Sequence, residues 1–504
     1  MTGGPADLVD AIADPGAEQA AVALIDGRGR ARTRGWVARR VRGLAAGLRA
    51  EGLQPGDGVL FSIRPSADSI VAALAIVAAG GTVIFADPGG GHRLFSARMR
   101  LARPRWAAAE SLLYAAGTRG PLRAVARTRG LLLPDLGGLG VRHLHSGPRL
   151  PGVPKAATRL ESLIRADGPV PAPADPAAPA VVVFTSGTTA RPRAVVHTRG
   201  TLSAAGSLLA ACCPVGPGHV VHTEQLMLGL PALAAGATWS LPRTCGSPAR
   251  FAAELAERGA THTFAVPVDL ARVLDAVSRL PDRLAHVLLG AAPVPPALLR
   301  RVTHATGPGT RILSVYGMTE ILPVAVTDAA AKLDWHGTGD LVGRPLPGVR
   351  VRIGDRGELH AAGPNQAAYL GEPPRAEIAT GDRARVEPDG RIVLEGRLKD
   401  MLIRGHFNLY PGLYEPVVAA LPGVAEAAFA GLPDPATGDE TVVLALVATA
   451  GADPVTLPAL VKARLPGLID ADALPDRIVV VPALPRSGRS RKLDRMALAA
   501  LVRP

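Results

Sequence analysis

The chain has 504 residues, more than one hydrophobic core ordinarily supports, so two or more domains are expected. Apolar residues make up 48% and charged residues 20%, while aromatics at 3% are too sparse for the stacking platforms of a single-strand nucleic-acid binder. The net charge of +13 arises from 51 Arg and 5 Lys against 43 acidic residues. These Arg are scattered and no nucleic-acid motif accompanies them, which argues against a DNA or RNA partner. Two meanings of the charge stay open: a solvated basic surface, or a field drawing in nucleotide, coenzyme A phosphates or an acidic carrier protein.

The chain opens Met1-Thr2-Gly3-Gly4-Pro5 and runs into Asp7 and Asp10 without the basic and apolar regions of a signal peptide. Cys212, Cys213 and Cys245 are too few for a disulfide framework, and no metal-ligand spacing surrounds them, so a reducing, cytoplasmic setting is expected. Helical spacing over residues 37–48 is followed by a strand pattern at 58–63, a helix at 69–79 and a strand at 82–85 that ends at Asp87-Pro88-Gly89. The apolar run over residues 70–84 is broken by Gly80 and Gly81 and falls short of a membrane span, which leaves a buried helix running into a strand. Such alternation predicts an α/β sheet with helical crossovers.

Residues 168–179, rich in Pro and Ala, read as an exposed connector. The apolar run at 180–184 then reads as a buried strand opening straight into Thr185-Ser186-Gly187-Thr188-Thr189. A glycine turn with several hydroxyls just past a strand end offers short donors that phosphate oxygens can approach closely, although the Walker A order is absent. Alternating elements continue to about Glu395, and the last hundred residues carry strand patterns at 427–430, 442–447 and 477–481.

The segment TSGTTARPRA, from Thr185 to Ala194, resembles the phosphate-binding signature T-S-G-[ST]-T-G-x-P-K-G of the adenylate-forming superfamily, with Ala190, Arg193 and Ala194 replacing Gly, Lys and Gly. Tyr316-Gly317-Met318-Thr319-Glu320 matches its Y-G-x-T-E, and Gly290-Ala291-Ala292-Pro293 resembles G-G-A-P. Thr380-Gly381-Asp382 and Gly396-Arg397-Leu398-Lys399-Asp400 match T-G-D and G-R-x-K-D. Leu484-Pro485-Arg486 with Lys492-Leu493-Asp494-Arg495 resembles the segment carrying a catalytic lysine, with Arg491 in place of Gly before it. Residues 52–59, 343–348 and 422–426, with Pro411 and Glu415, extend the likeness over most of the chain, the 422–426 stretch fitting a helix end. Lys is rare here, yet two of these motif positions hold one.

The resemblance implies a large N-terminal α/β domain over residues 1–396 and a small mobile α+β domain over 397–504 that turns about Lys399. It implies ATP bound by Thr185, Ser186, Gly187, Thr188, Thr189 and Arg193, with Gly290, Ala291, Ala292, Pro293, Tyr316, Gly317 and Met318 along the adenosine and Asp382 and Arg397 at the ribose. Thr319, Glu320 and Lys492 would be catalytic, with Glu320 also holding Mg²⁺. The implied reaction activates a carboxylic acid, fatty or other acyl, as an acyl-adenylate and passes the acyl group to coenzyme A. Transfer to a carrier protein's phosphopantetheine stays open. So does ring closure to a β-lactone, suggested by Ile321-Leu322-Pro323-Val324 and Asp87-Pro88-Gly89-Gly90-Gly91. Ala190, Ala194 and Arg491 also admit a non-catalytic nucleotide-binding homologue, and His406, where the family usually has Gly, bears on the acceptor tunnel.

Overall fold

A computed structural model describes residues 7–86, 92–118, 120–128, 133–166, 168–169, 175–185, 193–244, 246–398, 402–404, 407–409, 411–433, 440–466, 468–469, 473–487 and 491–503. Two large sheets and a smaller C-terminal unit make up the fold. The first sheet has a parallel centre of Thr82–Phe85, Gly58–Ser62, Trp106–Glu110 and Arg142–Ser146. Pro179–Thr185 joins it in parallel, and Arg193–Thr198 then returns antiparallel along Pro179–Thr185.

The helices that cover this sheet follow from their apolar spacing. Arg34–Ala50 starts at Thr33, whose side chain accepts the Trp36 N–H, and buries Val37, Val41, Leu44, Ala45 and Leu48. Ala67–Ala78 is closed at its start by a capping box between Ser66 and Ser69 and is buried on nearly every side, as its continuous apolar run requires. Among the described residues no helix is long and apolar enough to cross a membrane.

The second sheet has thirteen strands. Its parallel half runs through Val22–Ile25, Thr238–Ser240, Val220–His222, His262–Ala265, His286–Gly290 and Arg311–Met318. It turns antiparallel at Ile321–Asp328 and continues through Asp340–Pro345, Ile392–Arg397 and Ile378–Val386.

Beyond residue 410 a three-stranded sheet of Val424–Pro433, Glu440–Ala448 and Arg477–Val480 forms its own core with the helices Pro411–Ala419 and Leu457–Arg464. Two expectations are corrected. Pro179 opens a strand instead of closing the connector, and residues 422–426 are a turn at Gly423 (φ 86°) leading into a strand, not a helix end.

Candidate active site

Pro179–Thr185 and Arg193–Thr198 form a hairpin whose flanks pair Thr185 with Arg193 and Phe184 with Ala194. Of the expected phosphate loop, Thr185 and Arg193 end these two strands, while Ser186, Gly187, Thr188, Thr189 and Ala190, with residues 191–192, lie outside the described residues. Ala194 is not a loop residue. It is buried in the strand and its carbonyl accepts the Leu370 N–H at 2.9 Å, so a Cβ where relatives carry Gly causes no conflict.

A second hairpin meets the first. Met318 pairs with Ile321, which makes Thr319-Glu320 its two-residue tip. Gly317 sits at a register shift between Tyr316 and Met318, and a side chain there would meet Leu322 Cδ1 at 2.6 Å and Ile321 O at 3.0 Å. The tip is held from both sides. His197 Nε2, as donor, reaches the Thr319 carbonyl at 2.9 Å, and the Ala367 N–H reaches the Glu320 carbonyl at 2.8 Å. Burial depresses the His197 pKa, so the ring is neutral and its one N–H goes to Thr319.

Glu320 is only 5% exposed. Its Oε1 accepts the Tyr369 hydroxyl at 3.2 Å and faces Thr185 Oγ1 at 3.5 Å. Among the described residues both contacts fall on Oε1, and Oε2 is a hard carboxylate oxygen of the kind that suits Mg²⁺. Tyr369 itself lies between two guanidinium groups, Arg193 at 5.3 Å and Arg375 at 4.7 Å from the ring centre. Burial first, and then the Glu320 charge, raise the Tyr369 pKa, so it stays a donor. A planar fork that lies along Tyr369 gives a physical reason for Arg at 193 where the motif has Lys.

Further along the Arg311–Met318 strand, Tyr316 donates its hydroxyl to Asp382 Oδ2 at 2.6 Å. Asp382 is buried, its backbone N–H bonds Thr380 Oγ1 at 3.1 Å, and it pairs in register with Arg397. The Gly381 N–H reaches Glu358 Oε1 at 3.0 Å with φ at 73°, a conformation that suits the glycine of T-G-D. Gly290 ends the adjacent strand, where a side chain would crowd Val315 O at 3.0 Å. Ala291, which stands for a Gly, takes φ 66°, so the backbone keeps a glycine conformation with an alanine in it. Ala292 and Pro293 carry the chain on from there to Val294.

Lys492 belongs to the C-terminal unit, on a small hairpin where it pairs with Ser487 and is exposed. Arg491 before it takes φ 47° and gives its carbonyl to Arg486 Nη1 at 3.2 Å, so the glycine-type backbone persists here as well. Lys399, His406 and Asp87–Gly91 lie outside the described residues, as does the Arg397 side chain. Glu415 binds Arg495 through both oxygens, at 2.8 and 3.1 Å, and accepts the Phe429 N–H, a contact that ties the C-terminal unit together. The sequence motifs passed over His197, Tyr369 and Arg375. Only the strand position of His197 just past the loop carried any signal for them.

Two sheeted α/β layers followed by a small α+β unit are the architecture of adenylate-forming enzymes. The chain belongs to the AMP-binding enzyme family: the family model matches residues 14–372, and the model of the AMP-binding enzyme C-terminal domain matches residues 414–492. It is 30% identical over 428 residues to the 3-[(3aS,4S,7aS)-7a-methyl-1,5-dioxo-octahydro-1H-inden-4-yl]propanoyl:CoA ligase of Rhodococcus jostii, covering 79% of this chain and 81% of that one. A salicyl-AMP ligase / salicyl-S-ArCP synthetase of Mycobacterium tuberculosis is 28% identical, with 90% and 82% covered. Among solved structures, the amide bond synthetase McbA of Marinactinospora thermotolerans superposes with a TM-score of 0.81 at 25% identity, covering 98% of this chain and 99% of that one.

Proposed function

We propose that the protein joins a carboxylic acid to the α-phosphate of ATP, releases pyrophosphate, and passes the acyl group from the adenylate to the thiol of coenzyme A. The observation that carries the first half is the meeting of the two hairpins, with the Glu320 carboxylate 3.5 Å from Thr185 Oγ1 at the root of the hydroxyl-rich loop. Thr185 to Thr189 and Arg193 would hold the phosphates. Asp382, steadied by Tyr316, would accept hydrogen bonds from the ribose hydroxyls beside Arg397, and Thr319 would reach the α-phosphate. Bound at Glu320, Mg²⁺ would offset the charge of the triphosphate.

The acid's carboxylate oxygen attacks the α-phosphorus and the bond to the β-phosphate oxygen breaks, so the chain's work is positioning and charge placement. Lys492, an ammonium on a flexible stem, would meet both the carboxylate and the α-phosphate once the small domain closes. The thiol acceptor is favoured by the coenzyme A ligases among its relatives. The relative whose name couples salicyl-AMP formation to an acyl carrier favours a second reading, loading of a carrier phosphopantetheine.

Pyrophosphate release and hydroxamate trapping across a panel of acids test the first half. Lys492→Ala should abolish acid-dependent pyrophosphate release, and release at the wild-type rate would overturn the assignment. Adding coenzyme A, holo-carrier protein or an amine to the trapped adenylate then identifies the acceptor.

A further inference from the structure

At the opposite edge of the second sheet the fold gathers three ligating side chains that lie far apart in sequence. Cys213 caps the end of the Arg199–Cys212 helix, while His262 and His286 begin adjacent parallel strands in direct register. One ligand atom from each lies within 4.8 Å of the others. These same strands end at Ala265 and Gly290, where the Gly290–Pro293 segment departs, so the cluster and the nucleotide segments occupy opposite edges of one sheet.

The polar bookkeeping of the cluster is incomplete. Both ring nitrogens of His286 are buried without a hydrogen-bond partner, a costly state for an imidazole. The His262 and His286 rings stack at 4.7 Å between centres. His262 has Nε2 at 3.1 Å from the Pro214 carbonyl and Nδ1 at 2.8 Å from Thr261 Oγ1. Nε2 therefore donates to Pro214 and Nδ1 faces the Thr261 hydroxyl, so ligation by His262 requires one of these two contacts to give way to the metal; Thr261 Oγ1 has the Val220 carbonyl at 3.0 Å as another acceptor. His219 stands 5.0 Å from His262 between ring centres, but its Nδ1 lone pair takes the Gly216 N–H, so it is not counted among the ligands.

The geometry points to a thiolate–imidazole site, formed by Cys213, His262 and His286, for a zinc-class divalent cation. One sulfur with two imidazoles is a donor set for a borderline-soft cation, not for Mg²⁺ or Ca²⁺. Tetrahedral spacing around ordinary Zn–S and Zn–N bonds puts ligand atoms roughly 3.3–3.6 Å apart, so the widest pair would have to close by up to about 1.5 Å. As the Cys213–metal bond forms, the thiol proton leaves to solvent. The Arg311 guanidinium faces both Cys213 and His286, and its own partner is Asp328 at 3.7 Å. The bound cation would fasten the helix end to two strand starts, a structural clip remote from Glu320.

The test uses the full chain, stripped with chelator and titrated with Co²⁺ and then Zn²⁺. The Cys212→Ser/Cys245→Ser double variant, with Cys213 as its one thiol, should take up equimolar cobalt with a thiolate-to-cobalt charge-transfer band that zinc bleaches. Cys213→Ser should lose that band, and His286→Ala should weaken zinc binding by at least about tenfold. No band in the double variant overturns the site, as does unchanged zinc content in Cys213→Ser. Should Cys213→Ser fail to fold, the spectrum of the double variant decides alone.

Discussion

Tyr369 donates its hydroxyl to Glu320 Oε1 at 3.2 Å, and the Arg193 and Arg375 guanidinium groups lie over its ring, so one side chain ties the carboxylate to two cations. A hydrogen bond to a charged group is worth roughly 1.5–3 kcal/mol, and 1.4 kcal/mol corresponds to about tenfold in rate. Tyr369→Phe keeps the ring beside its guanidinium neighbours and removes the hydroxyl that meets Glu320 and Arg193. The expected result is a folded protein whose pyrophosphate release falls about tenfold or more and needs more Mg²⁺. Release measured against Mg²⁺ concentration checks it, and an unchanged curve would mean that Thr185 and the hairpin fix Glu320 without Tyr369. Alanine and arginine at 291 and 491 show a complementary lesson, since the backbone there holds positive φ angles of 66° and 47° although neither residue is glycine.

At the scale of elements, the Thr319-Glu320 tip depends on Gly317. A Cβ at that position would meet Leu322 Cδ1 at 2.6 Å and Ile321 O at 3.0 Å, and the second of these is backbone that cannot swing away. Gly317→Ala should therefore shift the tip, destabilise the protein by about 1–3 kcal/mol and lower adenylate formation together with it. Urea unfolding beside hydroxamate trapping measures both, and a variant stable and active as wild type would show that the strand yields. Local pattern made the strands and helices legible: residues 37–48 lie inside a helix, the expected helix at 69–79 overruns the observed Ala67–Ala78 by one residue, and 180–184 lie inside a strand. Motif order singled out Glu320 and Asp382 as candidate site residues, and both are buried. Period and spacing do not encode what crosses between hairpins, so the grip of His197 on Thr319 and of Tyr369 on Glu320 emerged only from the pairing of distant strands. The His262–His286 stack was invisible for the same reason, because register between parallel strands brings together residues that the sequence separates.

For the whole molecule, burial sets the response to acid. His222 is fully buried beside Ser240, and burial first, then the Arg258 charge, push its pKa from 6.5 down to about 3. Its folded form is neutral while the unfolded chain takes up a proton below about pH 6.5, so its contribution is complete above that pH and is lost as pH falls toward 3. One such group tilts stability by up to about 1.4 kcal/mol per pH unit. His222→Asn should flatten the fall in urea-unfolding free energy between pH 6.5 and 5, and an equal slope in both proteins would place the proton uptake elsewhere.

Rotation of the small unit, which the family likeness implies, would be the other property that belongs to the whole chain. Lys492 sits on a hairpin of that unit while Glu320 sits at a hairpin tip and Asp382 on a strand of the second large sheet, so the two halves of the proposed reaction can be separated at the connection between them. By the family likeness that connection is Lys399. Proline there fixes φ near −65° and removes an N–H, which restricts backbone rotation without touching a group that binds ATP. Lys399→Pro should leave acid-dependent pyrophosphate release within about twofold of wild type and cut thioester formation by at least about tenfold, since one closed arrangement stays reachable and the other does not. Single-turnover release and thioester yield from the same reaction separate the outcomes. Equal loss of both would mean that residue 399 supports the adenylation arrangement itself, and loss of neither would move the hinge to another residue.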